Sequence, residues 1–76
     1  MNDAMIFGKR LYLLRIKNFK SQAACAEKLG YSATMISSWE RGKNLPTVLT
    51  LIDLANYFNV SADYLLGLSD KKEREK

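Results

Sequence analysis

Apolar residues recur three and four positions apart along most of the chain, and no stretch alternates long enough to suggest a strand, so the pattern predicts helices throughout. The first runs from about Asp3 to Lys17, with Phe7, Leu11 and Leu14 on one stripe. Asn18 and Phe19 form the link to a second helix, for which Ser21 is a plausible N-cap and Gly30 the stop, a position suited to a residue that tolerates positive φ. Ser32 caps a third helix that ends at Gly42. After the loop KNLP, Thr47 opens a fourth helix with an inner stripe of Val48, Leu51, Leu54, Ala55 and Phe58, and Asn59 takes the left-handed stop. Ser61 opens a short fifth helix, SADYLL, closed by Gly67. The expected architecture is all-α, five helices in one domain over residues 1–70, followed by a charged, frayed tail over residues 71–76.

With 76 residues the chain is near the size where one core barely suffices, which favours a compact helical bundle over a fold with a cofactor cleft. Its longest apolar runs, LYLL and VLTLI, are too short to span a bilayer, and Lys9, Arg10 and Arg15 interrupt any secretory signal, so a cytoplasmic protein is expected. One cysteine and no histidine rule out an internal disulfide and leave no zinc site to assemble. Cys25 falls on the inner stripe of the second helix, where it serves as a small hydrophobe rather than a catalytic thiol. No clustered carboxylates and no glycine-rich phosphate loop are present. Neither an enzyme nor a bound cofactor or metal is expected.

Chemistry concentrates instead in Ser21 to Gly42. Cys25, Ala26, Leu29, Ile36 and Trp39 give the second and third helices one continuous inner face, with Gly30 at the break, which is the layout of a helix-turn-helix. What remains outward on the third helix is Ala33, Thr34, Ser37, Ser38 and Arg41. Side chains this short let a helix backbone come close to a duplex, whereas a helix that merely meets solvent usually carries Glu, Lys and Gln. Charge agrees with that reading. Residues 1–46 hold eight Lys and Arg against Asp3, Glu27 and Glu40, a balance of +5, while residues 47–70 hold only Asp53, Asp63 and Asp70. A basic front and an acidic back suit a molecule that offers one face to phosphates.

Four stretches together, GKRLYLLR, SQAACAEKLGYS, MISSWERGKNLP and LANYFNVSADYLLG, resemble the phage repressor and Cro class of helix-turn-helix regulators over residues 6–68. Cys25, where relatives usually carry Leu, and Asn59, where they often carry Gly, are minor departures. The resemblance implies a lambda-repressor-like five-helix fold and a set of roles. Gln22 would bond a phosphate and help orient the third helix, and Ser32, Ala33, Thr34, Ser37 and Ser38 would face base edges or the flanking backbone. Lys43, Asn44 and Arg41 would meet phosphates, with Lys9 and Arg10 adding a weaker long-range attraction. Arg15 and Glu40 would form an ion pair clamping the first helix to the third, and Trp39 would be a core residue.

The resulting expectation is a sequence-specific repressor that binds double-stranded DNA as a homodimer, because one domain contacts only a half-site. Tyr57, Tyr64, Leu65, Leu66 and Leu68 are candidates for the dimer seam, with closure of the small core as the other use for them. Without Gln, Asn or Arg before Arg41, the reading helix lacks the forks that bond a purine at two points, so direct readout is expected to be soft. An antitoxin, a restriction-controller protein or an interaction module that has lost DNA binding would share the same bundle.

Overall fold

The computed structural model describes residues 3–73, and among them every regular element is helical. The helices are α1 (Asp3–Asn18), α2 (Gln22–Leu29), α3 (Ala33–Glu40), α4 (Val48–Phe58) and α5 (Ala62–Leu66). Local chemistry sets the boundaries. Ser21, Ser32, Thr47 and Ser61 each sit in extended backbone and accept a bond through the side chain from the backbone N–H three residues on, satisfying a donor that the helix itself leaves open. Gly30 ends α2 at φ +82°, and a side chain added there would find open space, so its cost would be conformational alone. Asn59 ends α4 in the left-handed region, as its side chain permits. α3 stops slightly earlier than the sequence suggests: Arg41 is its C-cap, and Gly42 turns the chain away.

The core is one cluster. Phe7, Leu11 and Leu14 from α1 meet Cys25 and Ala26 of α2, Ile36 and Trp39 of α3, Leu54 and Ala55 of α4, then Val60, Tyr64 and Leu65. Tyr31 packs its ring edge-on against Trp39 at 5.4 Å, sealing the turn between α2 and α3. α1 crosses α3 so closely that a Cβ on Gly8 would lie 2.4 Å from the carbonyl oxygen of Trp39 and 2.8 Å from that of Glu40.

Two expectations are corrected here. Val48 is 73% exposed rather than on the inner stripe, because α4 reaches the core only from Leu51 onward and its first turn overhangs the edge. Lys71 and Lys72 are exposed, yet their carbonyls are hydrogen-bonded to the start of α5 rather than frayed. Ser61 N–H donates to the Lys72 carbonyl at 2.9 Å and the Ser61 hydroxyl to that of Lys71 at 3.2 Å. Residues 74–76 of the expected tail lie outside the described residues.

The segment before them is held by Arg10. Its guanidinium donates to the carbonyls of Tyr64 and Ser69, reaches Asp70 at 3.1 Å and lies over the Tyr64 ring. Arg10 is thus a strap between α1 and the C-terminal turn.

Cys25 is fully buried, and burial pushes its thiol pKa up, with nearby Arg15 opposing the shift more weakly. The neutral thiol is therefore favoured in the folded state, and this contribution is present below the ordinary thiol pKa and lost as pH rises through the folded value. Tyr31 is shifted the same way, first by burial. Urea melts at increasing alkaline pH should show a falling midpoint, and Cys25→Ala should fall less steeply than the parent. An equal slope would remove the thiol from the account.

Candidate nucleic-acid interface

α3 turns one face to the core and the other outward. Ile36 and Trp39 are buried, whereas Thr34 and Arg41 are exposed and Ala33, Ser37 and Ser38 are half-buried at the margin. Met35 is 42% exposed, so it lies at the edge of the inner face. The outward residues that the sequence groups together do share one side of the helix.

What fixes the helix is a buried charge pair. Arg15 on α1 donates from Nε to one carboxylate oxygen of Glu40 at 2.8 Å and from an Nη nitrogen to the other at 2.9 Å, and both side chains are under one-tenth exposed. This two-point geometry uses the full fork of the guanidinium. The bond to Glu40 holds the Arg15 pKa above its ordinary value even though burial alone would lower it. Gln22 adds a third donor: its side-chain amide bonds a Glu40 oxygen at 2.9 Å. One carboxylate at the end of α3 thereby ties it to both α1 and α2. The bond from Gln22 joins the start of α2 to the end of α3.

The loop after α3 is organised as well. Lys43 N–H donates to the Ser38 carbonyl at 3.0 Å, and the Asn44 amide donates to the Ser38 hydroxyl at 2.6 Å, closing the loop against the helix end. Lys43 and Asn44 remain exposed. Arg41 bends back to the Ser37 carbonyl at 3.4 Å, a long contact that leaves the guanidinium free to extend. Ser32 spends one lone pair on capping and stays exposed.

The seam expected from the sequence does not hold together as a surface. Tyr64 and Leu65 are buried at 8% and 0% exposure, because the short α5 has to close the core under α1. Leu66 is half-buried, and Tyr57 stacks on Phe19 with ring centres 5.9 Å apart. Leu68 is left alone at 75% exposure. Sequence reading missed Gly8, whose only signal was a glycine amid strong helix formers, and it placed Arg10 by charge without its partners.

The helix-turn-helix family HTH_3 matches residues 11–65, which takes in α2, α3 and α4 with part of α1 and of α5. The chain belongs to the helix-turn-helix family. That family is one of DNA-binding transcription regulators rather than of enzymes. The HTH-type transcriptional regulator ImmR of Bacillus subtilis is 40% identical over 70 residues, covering 92% of this chain. The chain spans 55% of ImmR's own length. Among solved structures, the SOS-response transcriptional repressor LexA of Eubacterium rectale superposes with a TM-score of 0.78 at 28% identity, over 97% of this chain and 77% of that one. The restriction-modification controller protein C.AhdI of Aeromonas hydrophila gives 0.70 at 28% identity, over 83% and 96%. Among the described residues of this helix-turn-helix protein, no helix is long and apolar enough to cross a membrane, and no group of side chains could hold a metal ion.

Proposed function

We propose that this helix-turn-helix protein is a transcriptional repressor of phage or mobile-element type that inserts α3 into the major groove of a palindromic operator as a homodimer. The observation that carries the reading is α3 itself: a helix whose outer side presents short residues, whose seat is locked by Arg15, Glu40 and Gln22, and whose far end carries the exposed Lys43 and Asn44. A helix held this firmly can spend its outward atoms on a ligand without reordering. Thr34 and Ala33 would meet thymine methyls, while Ser32, Ser37 and Ser38 would bond base edges or phosphate directly or through water. Gln22, Arg41, Lys43 and Asn44 would position the backbone. Repeated at a spacing of about 34 Å, two such helices read one face of the duplex. Since hydroxyls accept several bases, DNA shape would supply much of the discrimination. Likeness to C.AhdI favours a restriction-controller role as the second reading, with the same contacts to DNA.

Selection of bound sequences from a random duplex pool, followed by titration over a range of salt, tests the proposal. A recovered palindrome and a steep loss of affinity with salt are expected. Lys43→Ala should weaken all sequences nearly equally and flatten the salt dependence by about one unit. Absence of duplex binding at any salt overturns the function, and a changed sequence preference in Lys43→Ala overturns the phosphate role.

A further inference from the structure

The turn after α3 carries Asn44 back over the helix that the chain has just left. Gly42, in the left-handed region at φ +72°, donates its N–H to the Trp39 carbonyl at 3.0 Å, and Lys43 N–H reaches the Ser38 carbonyl at 3.0 Å. These bonds meet carbonyls that the helix end leaves open and fix the backbone immediately before Asn44. A Cβ on Gly42 would lie 3.0 Å from the Met5 Cγ, so α1 backs the turn from behind. From this support the Asn44 amide donates to the Ser38 hydroxyl at 2.6 Å. The outward hydroxyls of α3 are therefore not equivalent. Among the described residues nothing hydrogen-bonds the hydroxyls of Thr34 and Ser37, and each can turn to give or to take a proton. Ser32 accepts, but from the backbone N–H of Met35, which no side-chain change removes. Ser38 accepts from a side chain, and among the described residues no acceptor takes its own proton.

We infer that Asn44 sets the hydrogen-bond polarity of Ser38, so that α3 offers a proton at this point and selects a base edge that carries acceptors, guanine above all. The inference rests on the proposed function and adds to it a preferred base at one position. Two effects push the same way. A hydroxyl that accepts from an amide becomes a stronger donor, since hydrogen bonds in a chain polarise one another. Its proton must also be met once a duplex shuts out water, because an unpaired donor in a dry contact is costly. In the major groove guanine presents O6 and N7, both acceptors, adenine an acceptor beside a donor, and cytosine a donor alone. Cytosine would set N–H against O–H and leave both unpaired. Ser38 shares the outward side of α3 with Thr34, one turn before it, which favours base edges over the strand as the target of the proton. Asn44 acts through Ser38 and is a positioning residue. The second N–H of its amide is left over, so the same side chain still reaches a phosphate.

Selection of bound sequences from a random duplex pool with the parent, Ser38→Ala, Asn44→Ala and Asn44→Asp tests the inference. Asn44 is exposed and Ser38 lies at the margin of the core, so urea midpoints of the variants should stay close to that of the parent. Ser38→Ala identifies the pair concerned, at which the parent should favour guanine over cytosine by about threefold to tenfold, the discrimination that one hydrogen bond gives. Asn44→Ala should bring that ratio within about twofold and leave preferences at the other pairs as they were. Loss of a phosphate contact would not do this, because it weakens all sequences alike. Asn44→Asp puts an acceptor where the donor was, so the Ser38 proton turns inward, its lone pairs face out and the preference moves toward cytosine or adenine. The inference is overturned if either Asn44 variant keeps the guanine preference of the parent, or if Ser38→Ala weakens every sequence equally, which would give the proton to a phosphate. Nuclear magnetic resonance of the free protein supplies a readout without DNA. One Asn44 side-chain amide proton should be shifted downfield, and the shift should vanish in Ser38→Ala; its persistence overturns the bond. A parent that binds no duplex removes the operator reading and this one together, whereas a clear operator with unchanged Asn44 variants removes this one alone.

Discussion

Arg15→Ala is expected to lower the free energy of unfolding by about 3 to 5 kcal/mol, most of the stability that a domain of this size has to spare. The reason is the partner left behind. Glu40 is buried to 5% side-chain exposure and accepts from Arg15 at two points, so truncation strands a carboxylate with only the Gln22 amide to compensate it. Removing both charges is a different matter. A double variant such as Arg15→Met with Glu40→Leu leaves no buried ion to solvate, and its loss should be smaller than that of either single change. Arg15→Lys should rescue poorly, because an ammonium cannot reproduce the planar two-point contact. Urea unfolding of the parent, Arg15→Ala, Arg15→Lys, the two single changes Arg15→Met and Glu40→Leu, and their double variant measures all of this. A cost below about 1 kcal/mol for Arg15→Ala would mean that water reaches the pair freely, as at an ordinary surface bridge.

Gly8→Ala should also be severely destabilising, by about 3 kcal/mol or more, although the substitution is one that helix preference favours by about 1 kcal/mol. The two effects have opposite signs, so the experiment discriminates between them. Packing wins because the added carbon would meet main-chain oxygens at 2.4 and 2.8 Å, and neither Trp39 nor Glu40 can move its carbonyl without shifting the end of α3. Gly30→Ala is the matched control. Its Cβ meets nothing, so it incurs only the left-handed conformation, about 1 to 2 kcal/mol. An order of loss in which Gly30→Ala exceeds Gly8→Ala would show that α1 and α3 have room to separate.

The helices were readable from the chain because their signals are local. Ser21, Ser32, Thr47 and Ser61 act on donors three residues away, and a stripe such as Phe7, Leu11 and Leu14 repeats within two turns. The outward set on α3 followed from the same periodicity, and the Arg15–Glu40 pair followed from the family resemblance. What escaped the sequence depends on residues far apart in it. Arg10 finds its acceptors 54 and 59 residues away, and nothing near Lys9–Arg10 marks the one as free and the other as a strap. Val48 carries the right spacing for an inner position, but spacing does not say how far along α4 the core extends. Leu65 is equally good in the sequence as seam or as closure, and the position of α5 under α1, which buries it with Tyr64, decides for closure.

The meeting of Gly8 with α3 is made of main-chain atoms, and beneath the outer residues the carboxylate of Glu40 completes the mounting. Thr34 takes no part in either. On the proposed function, the letters that would choose a target are thereby uncoupled from the scaffold that presents them, apart from Ser38, which is committed to Asn44, and Ser32, which caps α3. If that function holds, a descendant would drift to a new promoter through a few outward replacements while its melting behaviour stays the same, whereas change at the mounting would remove the protein altogether.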